Sequence, residues 1–358
     1  MDDSPRPACQ RRKMATRCTL LAILLAAITG LCASPVSAGD KCIDARTGIN
    51  LAGAGFGTNV PGREGIDYRF PTGSQISYYT QIGFKSLRLS ILWERLQPSL
   101  NGPLDRRHLA GIISFLDGAA ANGVDVLIDL HNYARYRGEL IGSDAVPASA
   151  FFDVWQRIAR ALSTHKALYA YGLMNEPYNT GGLWSQVAQA GVDGVRSVDS
   201  THRIYVQGEG FSESEFWDKT TREPFVKDPA KLEVYEAHIY LDVDFSGKYH
   251  SSEPIKDPAT LVDERLGRFI RWLDKHGKNG AVGEWGVPSD DARWLGGVDR
   301  LLELARANCL STYVWAGGNW SPGYKLSLEP LKGVERVLTK HFYGILKRDE
   351  SGGRNSQQ

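Results

Sequence analysis

Along the chain, short runs of aliphatic and β-branched residues alternate with longer stretches in which apolar residues recur every three or four positions. A brief continuous apolar run suits a strand buried on both faces, and a 3.6-residue period suits a helix with one buried face. The runs fall at 49–54, 86–90, 125–131, 169–175, 203–207, 234–239, 281–284 and 312–316. Helical spacing is found at 104–121, where Leu109, Ile112, Ile113 and Leu116 share a face. It recurs at 151–162, 184–198, 259–276, 291–307 and 331–346. Strands alternating with helices predict a parallel sheet. An open doubly wound sheet would carry a glycine-rich phosphate turn after its first strand, and Gly53-Ala54-Gly55-Phe56-Gly57 lacks that spacing. The expectation is an α/β fold, a single (β/α)8 TIM barrel over residues 39–347, followed by a polar, disordered tail at 348–358.

The first 38 residues do not share the pattern. Arg6, Arg11, Arg12, Lys13 and Arg17 precede a stretch, 18–39, without any charge. Pro35-Val36-Ser37-Ala38 then offers the small residues a signal peptidase reads, so 1–38 is expected to be a signal peptide cleaved after Ala38. The alternative, an uncleaved membrane anchor, is disfavoured by Gly30, Ser34, Pro35 and Ser37. The protein is therefore expected to be secreted or periplasmic, a monomer, with no stable membrane association once the leader is gone. Cys9, Cys18 and Cys32 leave with the leader, which leaves Cys42 and Cys309 in an oxidising compartment. They stand just before the first and the eighth strand, neighbours in a closed barrel, and are expected to approach at its amino-terminal rim at disulfide distance. With no CxxC and no Cys/His cluster, a structural zinc is not expected.

Charge narrows the range of partners. The 358 residues carry 42 Lys+Arg and 41 Asp+Glu, a net +1, and loss of five basic and two acidic leader residues makes it −2. That balance offers no footprint for nucleic acid. Nine Trp and fifteen Tyr in a nearly neutral chain suit a neutral ligand held by stacking.

The carboxyl ends of barrel strands converge on one mouth, so polar residues there are the candidates for chemistry. Arg88 lies in the second strand, His131-Asn132 closes the third, Asn175-Glu176 the fourth, and His238 and Tyr240 the sixth. Glu284-Trp285 closes the seventh, and Trp315 lies in the eighth. Two carboxylates across one rim suit a reaction needing one carboxyl protonated and one ionised, and glycoside hydrolysis is such a reaction. Arg88 would keep one carboxyl ionised, His238 and Asn175 would serve the other, and Trp315 would offer a sugar an apolar face.

The pieces Ile128-Asp129-Leu130-His131-Asn132-Tyr133-Ala134-Arg135, Gly172-Leu173-Met174-Asn175-Glu176-Pro177, Glu236-Ala237-His238-Ile239-Tyr240-Leu241-Asp242 and Gly283-Glu284-Trp285-Gly286 resemble glycoside hydrolase family 5, in order and over nearly the whole mature chain. The similarity is greatest to its endoglucanase (cellulase) branch. The resemblance implies a (β/α)8 barrel and a retaining hydrolase of β-linked glucans or mannans without cofactor or metal. It makes Glu176 the acid/base and Glu284 the nucleophile. Asn175 would bind the sugar 2-hydroxyl, Arg88 and Tyr240 would orient Glu284, and His131, His238 and Trp315 would shape the catalytic subsite.

The expected carboxyl separation is therefore about 5–5.5 Å, with Glu284 ionised and the Glu176 pKa raised. Trp93, Trp285 and Trp320 are the candidates for outer sugar subsites. Other classes compete less well. A silent carbohydrate-binding barrel would not need both Glu, and a metal-dependent barrel hydrolase would show a His-x-His or carboxylate-rich ligand set. The substrate expected is a β-glucan, internally cleaved. A β-1,3- or β-1,6-glucan, transglycosylation or β-mannan stays open because the Asp242–Lys256 loop and Trp320-Ser321-Pro322-Gly323-Tyr324 depart from the usual endoglucanase pattern.

Overall fold

Eight parallel strands close on themselves in sequence order. β1 (Thr47–Ala52) pairs with β2 (Ser86–Ile91), and the series runs through β3 (Asp125–Leu130), β4 (Leu168–Gly172), β5 (Arg203–Gln207), β6 (Glu233–Tyr240) and β7 (Asn279–Gly286) to β8 (Ser311–Gly318). β8 then returns to β1, with Thr47 opposite Thr312. This computed structural model describes Cys42 and residues 45–57, 59–251 and 253–355, with side chains as far as Arg348. The expected leader, 1–38, lies outside the described residues.

The helices are α1 (Gly73–Ile82), the short α2 (Trp93–Leu96), α3 (Arg106–Ala121), α4 (Ala148–Leu162), α5 (Trp184–Arg196), the short α6 (Trp217–Thr220), α7 (Pro258–His276), α8 (Leu295–Ala307) and α9 (Val337–Asn355). Their ends are written in the sequence. In α7, the Asp257 side chain caps the Thr260 N–H, Pro258 stands where no N–H is needed, and Gly277 (φ 60°) turns the chain out left-handed. The apolar face of α7 buries Leu261, Val262, Leu266, Phe269 and Leu273.

Three elements depart from the sequence expectation. α1 buries only Ile76, Tyr79 and Ile82, too thin an apolar stripe to stand out, and its capping box, Thr72 with Gln75, was the available sign. The fourth strand stops at Gly172, not 175, because Met174 N–H leaves the ladder for the Gln207 side chain. α9 starts at Val337, after Leu331 and Val334 have paired, and runs to Asn355. Residues 348–355, expected as a disordered tail, are thus helical.

The barrel interior has two levels. At the amino-terminal end Leu127, Ala170, Tyr205, Val234, Ala281 and Tyr313 form a separate apolar plug. Above it lies the fully buried Arg88, and above that the mouth. The plug closes the bottom of the barrel beneath the charged groups of the mouth.

A disulfide joins Cys42 to Cys309 at the amino-terminal rim, with Cα atoms 4.7 Å apart. It fastens the segment before β1 to the segment before β8. Closing so long a loop removes conformational freedom from the unfolded chain, an effect of about 2–5 kcal/mol. The double variant C42S/C309S should therefore unfold at lower guanidinium concentration with its activity intact at room temperature. An unchanged midpoint in the oxidised protein would show that the bond adds nothing to the strand pairing at the seam.

Candidate active site

At the centre of the mouth, one oxygen of Glu176, one of Glu284 and a ring nitrogen of His238 lie within 4.8 Å of one another. Glu284 stands near the carboxyl end of β7, paired with His238 of β6, and Glu176 follows β4 with its backbone in the left-handed region (φ 46°). The Tyr240 hydroxyl donates to Glu284 Oε1 at 2.5 Å. Arg88 Nη1 approaches Glu284 Oε2 at 3.7 Å, and His238 Nδ1 meets Glu176 Oε1 at 2.8 Å.

Beneath the pair lies a buried charge network. Arg88 Nη2 contacts Asp129 Oδ1 at 2.9 Å and Glu236 Oε1 at 3.2 Å and donates to Asn175 Oδ1 at 3.0 Å, while Nη1 donates to Asn50 at 2.8 Å. Asp129 Oδ2 in turn holds His131 Nδ1 at 2.7 Å, and Glu236 Oε1 holds His238 Nε2 at 3.1 Å. Glu236 fits because Gly283 faces it: a Cβ there would lie 2.1 Å from the Glu236 carboxyl carbon. Asp129 and Glu236 were missed from the sequence, although a signal was present. Each stands two residues before its histidine along the chain, and period two puts both on the inner face.

The network sets the protonation states. Burial would loosen the Arg88 proton, but Asp129, Glu236 and Glu284 outweigh it and raise the pKa. Glu236 is pushed up by burial, yet Arg88 and His238 hold it below the usual carboxylate value. Burial would lower His238, and Glu284 with the bonds to Glu176 and Glu236 lifts it to about 10, an imidazolium at neutral pH. Both ring nitrogens of His238 face carboxylate oxygens, at 2.8 and 3.1 Å, so the cluster is hydrogen-bonded within itself. The Tyr240 hydroxyl, raised by burial and by Glu284, keeps its proton and remains a donor.

Glu284 was expected to be held ionised by Arg88 and the Tyr240 hydroxyl, and its burial works against that hold. Burial raises Glu284, and the Glu176 charge adds to this, against the lowering pull of His238, Arg88 and His131. The cause is depth, since the Glu284 side chain is only 8 % exposed.

The cleft above the pair is a cavity of about 590 Å³. At one end Trp315 stacks on His131, with centroids 5.9 Å apart and planes 12° apart, and Phe56 packs against both. Trp320 completes this wall, stacked on Tyr324 at 4.5 Å, and the Tyr324 hydroxyl accepts from Trp315 Nε1. Tyr133, Phe211, Glu213 and Phe216 line other parts of the cavity. The eight expected positions, Arg88, His131, Asn175, Glu176, His238, Tyr240, Glu284 and Trp315, are therefore all brought together.

Of the three outer tryptophans only Trp320 lines the cleft. Trp93 is fully buried against Tyr136 and Phe151, with its indole N–H on Gln97. Trp285 follows Glu284 directly, so strand alternation turns it outward, where it packs on Phe342 of α9. Neither is available to a sugar. Phe56, Tyr324, Phe211 and Glu213, missed from the sequence, sit in loops that carry no periodic signal.

The family model described as Cellulase (glycosyl hydrolase family 5) matches residues 49–321. An endo-β-1,4-glucanase B of Aspergillus niger is 34% identical over 293 residues, 80% of this chain and 86% of that protein. Among solved structures, an endoglucanase of Pseudomonas stutzeri in complex with cellobiose superposes with a TM-score of 0.80 at 39% identity, covering 84% of this chain and 92% of that one. An endo-β-1,4-glucanase of Xanthomonas axonopodis pv. citri gives 0.78 at 33% identity, with 85% and 99% covered.

Proposed function

Because the chain belongs to the cellulase family, glycosyl hydrolase family 5, we propose that it cleaves internal β-1,4-glucosidic bonds of a glucan by double displacement, with Glu284 as nucleophile and Glu176 as acid/base. It is a glycoside hydrolase of the endoglucanase class. The observation that carries the double-displacement reading is the meeting of the two carboxyl groups, an oxygen of each lying within 4.8 Å of the other. That approach supports direct attack, for which carboxyl groups stand about 5–5.5 Å apart, over the water-mediated route of an inverting site at roughly 6.5–9.5 Å.

In the first step the Glu284 carboxylate attacks the anomeric carbon while Glu176 gives its proton to the leaving oxygen. Tyr240 and Arg88 hold Glu284 in line, and the His238 imidazolium fixes Glu176. Positive charge developing on the ring faces a mouth whose carboxylates outnumber its cations, which favours an oxocarbenium-like state. In the second step Glu176, now ionised, takes a proton from water as water displaces Glu284. Asn175 Nδ2 has no protein partner among the described residues, and a substrate hydroxyl would supply one. The Phe56–His131–Trp315–Trp320 wall suits the glycone sugars, because pyranose rings present apolar faces to aromatic planes.

Secretion follows from the expected leader and suits a polymeric substrate, and no helix among the described residues is long and apolar enough to cross a membrane. Proton NMR of a cellooligosaccharide digest tests the mechanism. The first product should carry the β anomer of its parent bond and mutarotate afterwards, and an initial α product would overturn the assignment. On a panel of soluble glucans the β-1,4-linked ones should be turned over fastest, and preference for mannan or β-1,3-glucan would overturn the substrate.

A further inference from the structure

The loop between β1 and α1 carries Phe56 into the cleft, where its ring packs on His131, Trp315 and Trp320. The described residues of that loop, 53–57 and 59–72, form no helix or strand of their own, and Ile66 is 69% exposed. What fixes them is a side chain from outside. Arg95 of α2, only 2% exposed, points its guanidinium into the loop. Nε donates to Pro61 O at 2.9 Å, Nη1 to Ala54 O at 2.6 Å and to Phe56 O at 2.7 Å, and Nη2 to Asn59 O at 3.3 Å. The loop closes round it at Gly57 (φ 126°), where a Cβ would lie 3.0 Å from Nη2 and 2.2 Å from Asp67 O. The Tyr68 ring covers the cation from 4.1 Å. A planar fork of donors bound to these carbonyls is rigid, so the backbone of Phe56 stands where Arg95 puts it.

Tyr68 links this fork to a buried histidine. Its hydroxyl meets His108 Nδ1 of α3 at 3.1 Å, and the rings of Tyr68 and Phe70 pack against the imidazole. His108 is 1% exposed, and its Nε2 has no partner among the described residues. The charged and titratable groups facing it are Arg95 from α2, Tyr68 from the loop and Asp105 at the start of its own helix. Glu64 and Arg107 stand about Tyr68. Burial and the Arg95 charge, against the pull of Asp105, take the imidazole down to about 4. A proton added to the ring would therefore sit without an acceptor at Nε2 and close to another cation.

We infer that Arg95 is a positioning residue for the glycone sugars, acting through the loop that carries Phe56, and that His108 makes this hold sensitive to acid. The inference rests on the reading of the Phe56–His131–Trp315–Trp320 wall as the glycone side. Once the loop lifts away, His108 returns to its ordinary value of 6.5 and takes a proton that the closed arrangement refuses. Each pH unit lost between that value and about 4 therefore favours the open loop by up to about tenfold. At neutral pH the ring is uncharged in both states, and the loop stays closed.

Kinetics on an aryl β-cellobioside, whose sugars both lie on the glycone side, test the inference. Arg95→Met should raise KM by about tenfold with kcat little changed. A merely structural role would instead lower kcat, through loss of folded protein, and leave KM alone. In the unaltered protein KM should rise as pH falls from 6.5 to about 4. His108→Asn keeps a polar group beside Tyr68 and cannot take the proton, so its KM should stay level over that range. The fall in kcat that comes from Glu284 should remain in that variant. The His108→Asn comparison stands even where Arg95→Met does not fold. An unchanged KM in folded Arg95→Met, or KM values that follow the same course with pH in His108→Asn and the unaltered protein, would overturn the inference. Failure of the glycone reading looks different: Phe56→Ala would then leave KM where it was.

Discussion

Glu284→Gln should abolish turnover of every glucoside, activated or not, because no glycosyl-enzyme can form without the carboxylate. The fall should exceed the roughly 10²–10⁴-fold that a proton-transfer group contributes. Glu176→Gln should differ in kind. It should lose about that factor on cellooligosaccharides, whose leaving alcohol needs a proton, and far less on substrates with an acidic phenol as leaving group. Azide, a nucleophile that needs no base, should restore the second step and yield a β-glycosyl azide. The pH profile of the unaltered enzyme carries the same signature. Only ionised Glu284 attacks, and burial raises its pKa, so kcat/KM should decline on acidification at a higher pH than an ordinary carboxylate would dictate. Near-normal activity in Glu284→Gln, or azide products of α configuration, would sink the assignment.

Arg88→Met should be the most destabilising single change in the barrel, by about 3–5 kcal/mol, since it leaves buried carboxylates without their cation. Asp129 and Glu236 are the partners stranded, at 2.9 and 3.2 Å. The pH dependence fixes the cause. In the unaltered protein Glu236 is lowered, so its contribution is present above the unfolded carboxylate pKa and lost as pH falls through the lowered native value. Without Arg88 the buried carboxyl should be raised instead, and the variant should lose stability as pH rises through that value. The gap in Tm between the two proteins should therefore narrow from pH 7 to pH 4. A constant gap would mean that Arg88 acts through packing and not through charge.

The strands were legible because each is a short run buried on both faces, and β5, 203–207, coincides with the expected bounds. The eight clustered site residues were legible for a related reason: a barrel presents the ends of its strands to one place, so position along a strand stands in for position in space. The same rule misplaced Trp285, because the end of a strand says nothing about which face a residue takes. Alternation from Glu284 would have turned it outward. Trp93 failed differently, since it opens the short helix α2, where burial depends on Tyr136 and Phe151 from other elements. The upward push of burial on Glu284 also lay beyond the sequence, because how deep a carboxyl sits is a property of the assembled mouth.

The bond between Cys42 and Cys309 spans 267 positions, and its consequence under proteolysis is topological. Seven of the eight strands, β1 to β7, lie within one covalent ring, whereas β8 and α9 hang outside it. A single cut within the ring, for instance in the loop that exposes Val243 and Ile255, opens the ring without releasing a piece, and the two carboxylates stay joined through sulfur. Such a nicked enzyme would migrate as one chain until reductant was added and then as two. A cut after β8, in the stretch that carries Trp320 and Tyr324, has no such safeguard: it frees α9 and strips the packing from the back of Trp285. The two ends of the cleft therefore differ in how well they survive digestion, the acid/base end being inside the loop of chain that the disulfide closes and the tryptophan wall outside it.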